Sequence, residues 1–202
     1  MHDDQVYNPL DKVHLAESVV QALIRQKVHP LPPEMPFAGA GIYAVYYSGS
    51  FPVYAPIADQ NRNEQYACPI YVGKAIPAGG RKGFAVYRDP GFALFRRMRE
   101  HADSVTQASN LSSEDFFCRY LILDELWIPL GETLMIQHFR PLWNAVIDGF
   151  GNHDPGSGRY RGMCPAWDIL HPGRAWAGKC NPNPKLLEHL LGDVQHHLAR
   201  PD

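Results

Sequence analysis

Two short tyrosine-bearing runs constrain this chain more than any other feature. Gly41 to Tyr47 and Ile70 to Gly73 are dense in aromatic and β-branched residues, the side chains that suit a pleated, half-buried surface. Both read as strands. Alternation sets Tyr43, Val45 and Tyr47 on one face of the first. The connection between them, Ser48 to Pro69, is too long for a tight hairpin turn and reads as an insertion.

Helical patterns surround these runs. Asp11 to Val28 carries Val13, Leu15, Val19, Val20, Leu23 and Ile24 at helical spacing, and His29-Pro30 with Pro32-Pro33 ends the pattern. Gly91 to Val105 and Ile128 to Phe139 also read as helices, the latter stopped by Pro141. Phe116 to Leu123 is a third strand candidate. Ala75 to Pro90 is a second long irregular stretch. Asp148 to Pro184 is rich in Gly, Pro and Trp with little periodicity, and Lys185 to Ala199 closes the chain as an amphipathic helix. No repeat or inter-domain linker interrupts the 202 residues, so one elaborated domain is expected over 1–202.

The formal net charge of −2 does not advertise a polyanion partner, but the charge is segregated. Arg81, Lys82, Arg88, Arg96, Arg97 and Arg99 face a single acid, Asp89, in one stretch. Asp103, Glu114, Asp115, Asp124, Glu125 and Glu132 follow against Arg119 alone. Such segregation makes a local positive surface on an acidic protein, or simply a solvated helix face. The polar, acidic start from Met1 to Gln5 is not that of a secretory signal, and no run approaches the roughly 18 apolar residues of a membrane span. Cys68, Cys118, Cys164 and Cys180 are too scattered for a zinc knuckle. Cys164, His171 and Cys180 are ligands by type but fit no common spacing. Scattered thiols suit a reducing, cytoplasmic setting.

Chemistry is suggested by placement on the helices. At about 100° per residue, Leu94, Phe95, Met98, Ala102 and Val105 share the core-facing arc of the 91–105 helix. Arg97 and His101 lie one turn apart at its edge, able to reach one cleft. Glu132 shares a sector with Ile128, Met135, Ile136 and Phe139. A carboxylate there requires a cationic partner, a proton or a metal ion, and Mg²⁺ suits an oxygen ligand of this kind. Asn144, just past Pro141, is equally at home in a turn. Tyr43, Tyr71 and Lys74 each have an ordinary strand or surface explanation.

Taken together, Gly41-Ile42-Tyr43, Tyr71-Val72-Gly73-Lys74-Ala75, Arg97 with His101, Glu132 and Asn144 resemble the GIY-YIG nuclease superfamily over roughly residues 39 to 146. Tyr-Val-Gly replaces Tyr-Ile-Gly in the second strand. Tyr43 and Tyr71 stand 28 positions apart, wider than in compact members. With a tail carrying Gly149-Phe150-Gly151-Asn152-His153-Asp154 and His171-Pro172-Gly173-Arg174, the chain looks similar to the type II restriction endonucleases of this superfamily, in particular the branch that cuts CCGCGG as homodimers. That resemblance implies an α+β fold. A small three-stranded antiparallel sheet is flanked by helices, with insertions at about 48–69 and 75–90, an N-terminal helix at about 11–28 and a DNA-recognition and dimer extension at about 148–202.

It also implies roles. Glu132 would hold Mg²⁺, with Mn²⁺ as a substitute. Arg97 would bind the phosphate, Tyr71 and His101 would orient water and phosphate, and Asn144 would fix the geometry. The general base stays open among Tyr43, Lys74 and His101, with Lys74 expected either to favour the Tyr43 phenolate or to accept the proton. Products would be a 5′-phosphate and a 3′-hydroxyl. Guanines are best read by bidentate cations, for which Arg81, Lys82, Arg88, Arg159, Arg161 and Arg174 are the candidates. Double-stranded DNA and a cognate methyltransferase would be partners, with no membrane association. A repair nickase like the nucleotide excision incision domain, a homing endonuclease and a non-catalytic DNA-binding module are the rival readings.

Overall fold

The computed structural model describes residues 8, 11–77, 89–156, 158 and 160–199. Helix α1 (Lys12–Ile24) starts where the Asp11 carboxylate accepts from the Val13 N–H, a side-chain N-cap. It stops four residues short of the expected Val28. The chain must turn there to lay β1 (His29–Pro30) against Cys118 and Phe117. Strand β2 (Gly41–Tyr47) follows, then helix α2 (Ala55–Asn61) inside the expected insertion, then β3 (Pro69–Ala75). Helix α3 (Ala93–Gln107) leads to β4 (Phe116–Ile122) and α4 (Ile128–Phe139). Helix α4 ends because Arg140 turns left-handed at φ 43° and Pro141 follows. Short helices α5 (Leu142–Ala145) and α6 (Ala166–Leu170) and a final helix, α7 (Leu187–Leu198), complete the chain.

The sheet is antiparallel in the order β1-β4-β2-β3, so β1 adds a fourth, two-residue strand to the three expected. Its pairing could not be read from a His-Pro dipeptide. Every residue of β2 is buried, as befits a central strand covered on both faces. Tyr43 lies opposite Gly73 and Tyr120, and Ile42 opposite Lys74 and Leu121. The Tyr43 face receives α3, whose His101 meets the phenol. The Ile42 face receives α4, where Gly131 leaves only van der Waals room beside the Ile42 side chain. On that same face Arg119 is buried against Tyr46, donating to its hydroxyl and to the carbonyls of Gln26 and Tyr66. Among the described residues no helix is long and apolar enough to cross a membrane.

The insertion is tied down by side chains rather than by strand pairing. Asn61 donates to the Tyr47 and Cys68 carbonyls and accepts from the Cys68 N–H. Tyr54 accepts from Trp143 Nε1 at 2.9 Å and donates to His171 Nε2 at 2.6 Å. His171 Nδ1 in turn donates to Asn110 Oδ1 at 3.0 Å. His171 is therefore a neutral core residue, and its ligand chemistry is spent on this network.

Burial holds the His171 pKa down to about 3, from an ordinary 6.5. The unfolded chain then binds a proton that the folded one refuses. This contribution to stability is whole above pH 6.5 and declines as pH falls towards 3, by about 1.4 kcal/mol per pH unit. Urea denaturation should therefore give a lower midpoint at pH 5 than at pH 7. In His171→Gln the pH dependence should flatten by about one proton, and an unchanged slope would contradict the assignment.

Candidate active site

The candidate site lies along β3 at the edge of the sheet, with Tyr43, Tyr71 and His101 on one face and Lys74 paired to Glu132 on the other. Tyr43 is 1% exposed, and its hydroxyl sits 2.6 Å from His101 Nε2, itself in a residue 1% exposed. Tyr71, across from Val45, packs its ring edge against His101 at 5.2 Å and faces Tyr43 at 6.3 Å. Gly73 makes this possible. A Cβ built there would stand 2.4 Å from the Tyr43 hydroxyl, so the second glycine-bearing motif clears space for the phenol of the first.

Burial raises the Tyr43 pKa well above its ordinary value, with the neighbouring Tyr71 adding to the rise and Arg97 opposing it. Tyr71 is raised mainly by burial as well. Burial, followed by the charge of Arg97, holds His101 well below the usual histidine range. The pair at neutral pH is thus a phenol and a neutral imidazole. Read that way, the phenol donates to Nε2.

Arg97 occupies the mouth of the cleft with its side chain 24% exposed. Its NH1 donates to Glu100 Oε2 at 3.0 Å and contacts His153 Nε2, while NH2 donates to the Gly151 carbonyl at 2.8 Å. Burial works against the guanidinium charge, yet Tyr43 and Glu100 leave its pKa raised. Phe150 stacks on the His101 ring at 4.5 Å and 16°. The sequence reading assigned Phe150, Gly151 and His153 no part in this cleft. Their place within the family-like tail at 149–154 was the one hint.

Glu132 is less enclosed than its helical sector suggested, with a side chain 20% exposed. It is paired to Lys74 Nζ at 2.5 Å. Lys74 is thus not where it was expected. Alternation sends it to the face opposite Tyr43, and its ammonium is committed to a carboxylate instead of a phenolate. The Glu132 charge nonetheless reaches the cleft, raising the pKa of both Tyr43 and Tyr71. Asn144 spends its carboxamide on the backbone of Val72, accepting from N–H and donating to C=O, each at 2.8 Å.

The expected DNA-reading cations fare differently. Arg81, Lys82, Arg88 and Arg159 lie outside the described residues. Arg161 is exposed. Arg174 is corrected: it is 3% exposed, ion-paired to Asp168 and sandwiched between Trp167 and Trp176, so it has no free edge for a base.

A metal ion fits at Glu132. Its Oε2 meets the lysine, while Oε1 makes no hydrogen bond to any described residue, leaving one anionic oxygen for a hard cation. No cluster of three or more His, Cys, Asp or Glu side chains gathers among the described residues. Such an ion would take its remaining ligands from phosphate and water, as Mg²⁺ commonly does.

Two phenols, an imidazole, a guanidinium and a carboxylate gathered at the edge of a small antiparallel sheet define a GIY-YIG nuclease domain. A family model described as Eco29kI GIY-YIG domain matches residues 35–198. The chain belongs to that family of restriction endonucleases. No curated protein matches it.

Proposed function

We propose that this protein is a type II restriction endonuclease that cuts both strands of DNA at a short G·C-rich palindrome, CCGCGG, leaving a 5′-phosphate and a 3′-hydroxyl. The observation that carries the reading is the 2.6 Å contact between the Tyr43 hydroxyl and a neutral His101. A phenol whose own proton already points at an imidazole can take a proton from water while passing its own inward. Tyr43 is then the immediate base and His101 the final acceptor, which spares a buried phenol from ionising unaided. Arg97 meets the phosphate oxygens as negative charge builds on them. Tyr71, packed beside both Tyr43 and His101, orients the attacking water. Asn144 acts on the site through the strand it holds.

Glu132 is the residue that would hold Mg²⁺ or Mn²⁺, with Lys74 fixing the carboxylate's rotamer. A bound ion there would supply Lewis-acid stabilisation of the leaving oxygen. A palindrome calls for a two-fold homodimer, and the extension from about 148 onward supplies the surface for bases and partner. Of the candidate readers among the described residues, Arg161 is the exposed one. The setting is the cytoplasm, beside a methyltransferase protecting the same sequence.

Digestion of a plasmid of known sequence, with and without Mg²⁺, tests this. Discrete fragments whose ends map within CCGCGG are expected. Random nicking, or cutting only at damaged positions, would remove the restriction assignment.

A further inference from the structure

The C-terminal extension does more at this cleft than reach for bases. Arg174 directs all of its N–H donors inward. Nε and NH2 grip the two Asp168 oxygens at 2.7 and 2.6 Å, NH2 also holds the Gly149 carbonyl at 2.9 Å, and NH1 holds those of Phe150 and Asn152 at 3.1 and 3.0 Å. Trp167 and Trp176 cover the guanidinium at 4.5 and 4.8 Å. A buried ion pair on its own says little about stability. This one immobilises three carbonyls of a segment that otherwise has no regular structure.

What the segment presents is telling. Phe150 lies flat on the His101 ring. The Gly151 carbonyl accepts a hydrogen bond from Arg97 NH2, and His153 meets NH1 beside Glu100. The anchored side of the Arg97 guanidinium is thus held largely by the extension, and its charge is felt by both phenols. Gly151 is hemmed in by the ends of two of the site's own side chains, which an added methyl would displace. A Cβ there would stand 2.9 Å from the Tyr71 hydroxyl and 3.0 Å from Arg97 NH2.

We propose that residues 149–154 form a wall of the catalytic cleft, in which Gly151 and His153 position Arg97 for the phosphate and Arg174 holds the wall in place. This rests on the nuclease reading and adds that the extension belongs to the catalytic machinery. His153 and Gly151 are positioning residues, since they act through Arg97. Misplacing a reacting group by about 1 Å costs on the order of 100-fold in rate, so small changes here should be visible.

The test measures single-turnover cleavage by the full chain, duplex affinity in EDTA and the thermal midpoint, for wild type, Gly151→Ala, His153→Ala and His153→Gln. Gly151→Ala and His153→Ala should cleave about 10- to 100-fold more slowly, with affinity and midpoint nearly unchanged. His153→Gln keeps an acceptor for NH1 and should recover part of the loss. Wild-type rates in both alanine variants would overturn the proposal while leaving the nuclease reading intact. So would rate losses that merely track a fallen midpoint. A wild-type protein that cuts no duplex would instead remove the nuclease reading and this proposal with it.

Discussion

Glu132→Gln is expected to abolish DNA cleavage, by about 1,000-fold or more, while the protein still binds duplex. The substitution keeps the shape of the side chain and a partner for Lys74 Nζ, but removes the negative charge on which a divalent ion depends. A metal ion contributes several kcal/mol to stabilising charge in phosphoryl chemistry, and about 4 kcal/mol corresponds to 1,000-fold. Folding should survive, because the carboxylate is partly exposed and its ion pair with Lys74 lies near the surface. Lys74→Met serves as a control, since it breaks the same pair and leaves the carboxylate charged. If Lys74→Met is as damaging as Glu132→Gln in cleavage, the pair matters for geometry and the metal assignment loses its support. Cleavage that persists in Glu132→Gln removes it outright.

Tyr43→Phe should slow cleavage by about 100- to 10,000-fold, the usual worth of a positioned proton acceptor. The ring stays in its pocket, so the packing against Tyr71 and His101 is kept and only the hydroxyl is lost. The pH dependence makes the test sharper. Burial and Arg97 keep His101 neutral to well below the usual range, so its acceptor site stays open as the solution is acidified past 6.5. Cleavage by the wild-type protein should therefore not fall along an ordinary histidine titration. A Tyr43→Phe protein with near-normal turnover would take Tyr43 out of the reaction and leave His101 to act on water directly.

Much of the frame was legible because it follows from local chemistry. The run Gly41–Tyr47 is one strand, and Ile128–Phe139 is one helix ended by a left-handed residue and a proline. The meeting of Arg97 and His101 in one cleft followed from their being one turn apart. The face taken by Lys74 follows from strand alternation as well. Tyr71 and Gly73 share a face, so Lys74 must take the other. Arg174 and Gly151 were not legible. A buried arginine is indistinguishable from a surface one in a segment without periodicity, and a backbone carbonyl that binds a guanidinium leaves no mark on residue type. The two-residue strand at His29–Pro30 was hidden for a similar reason, since its pairing is set by where β4 lies.

The carboxamide of Asn144 has one more effect. Strand β3 is the outermost of its sheet, and Val72 would otherwise offer an unpaired N–H and C=O to any passing extended chain. By satisfying both, Asn144 stands in for a neighbouring strand. The border of the sheet that carries the phenols is thereby closed to intermolecular β-pairing at its midpoint.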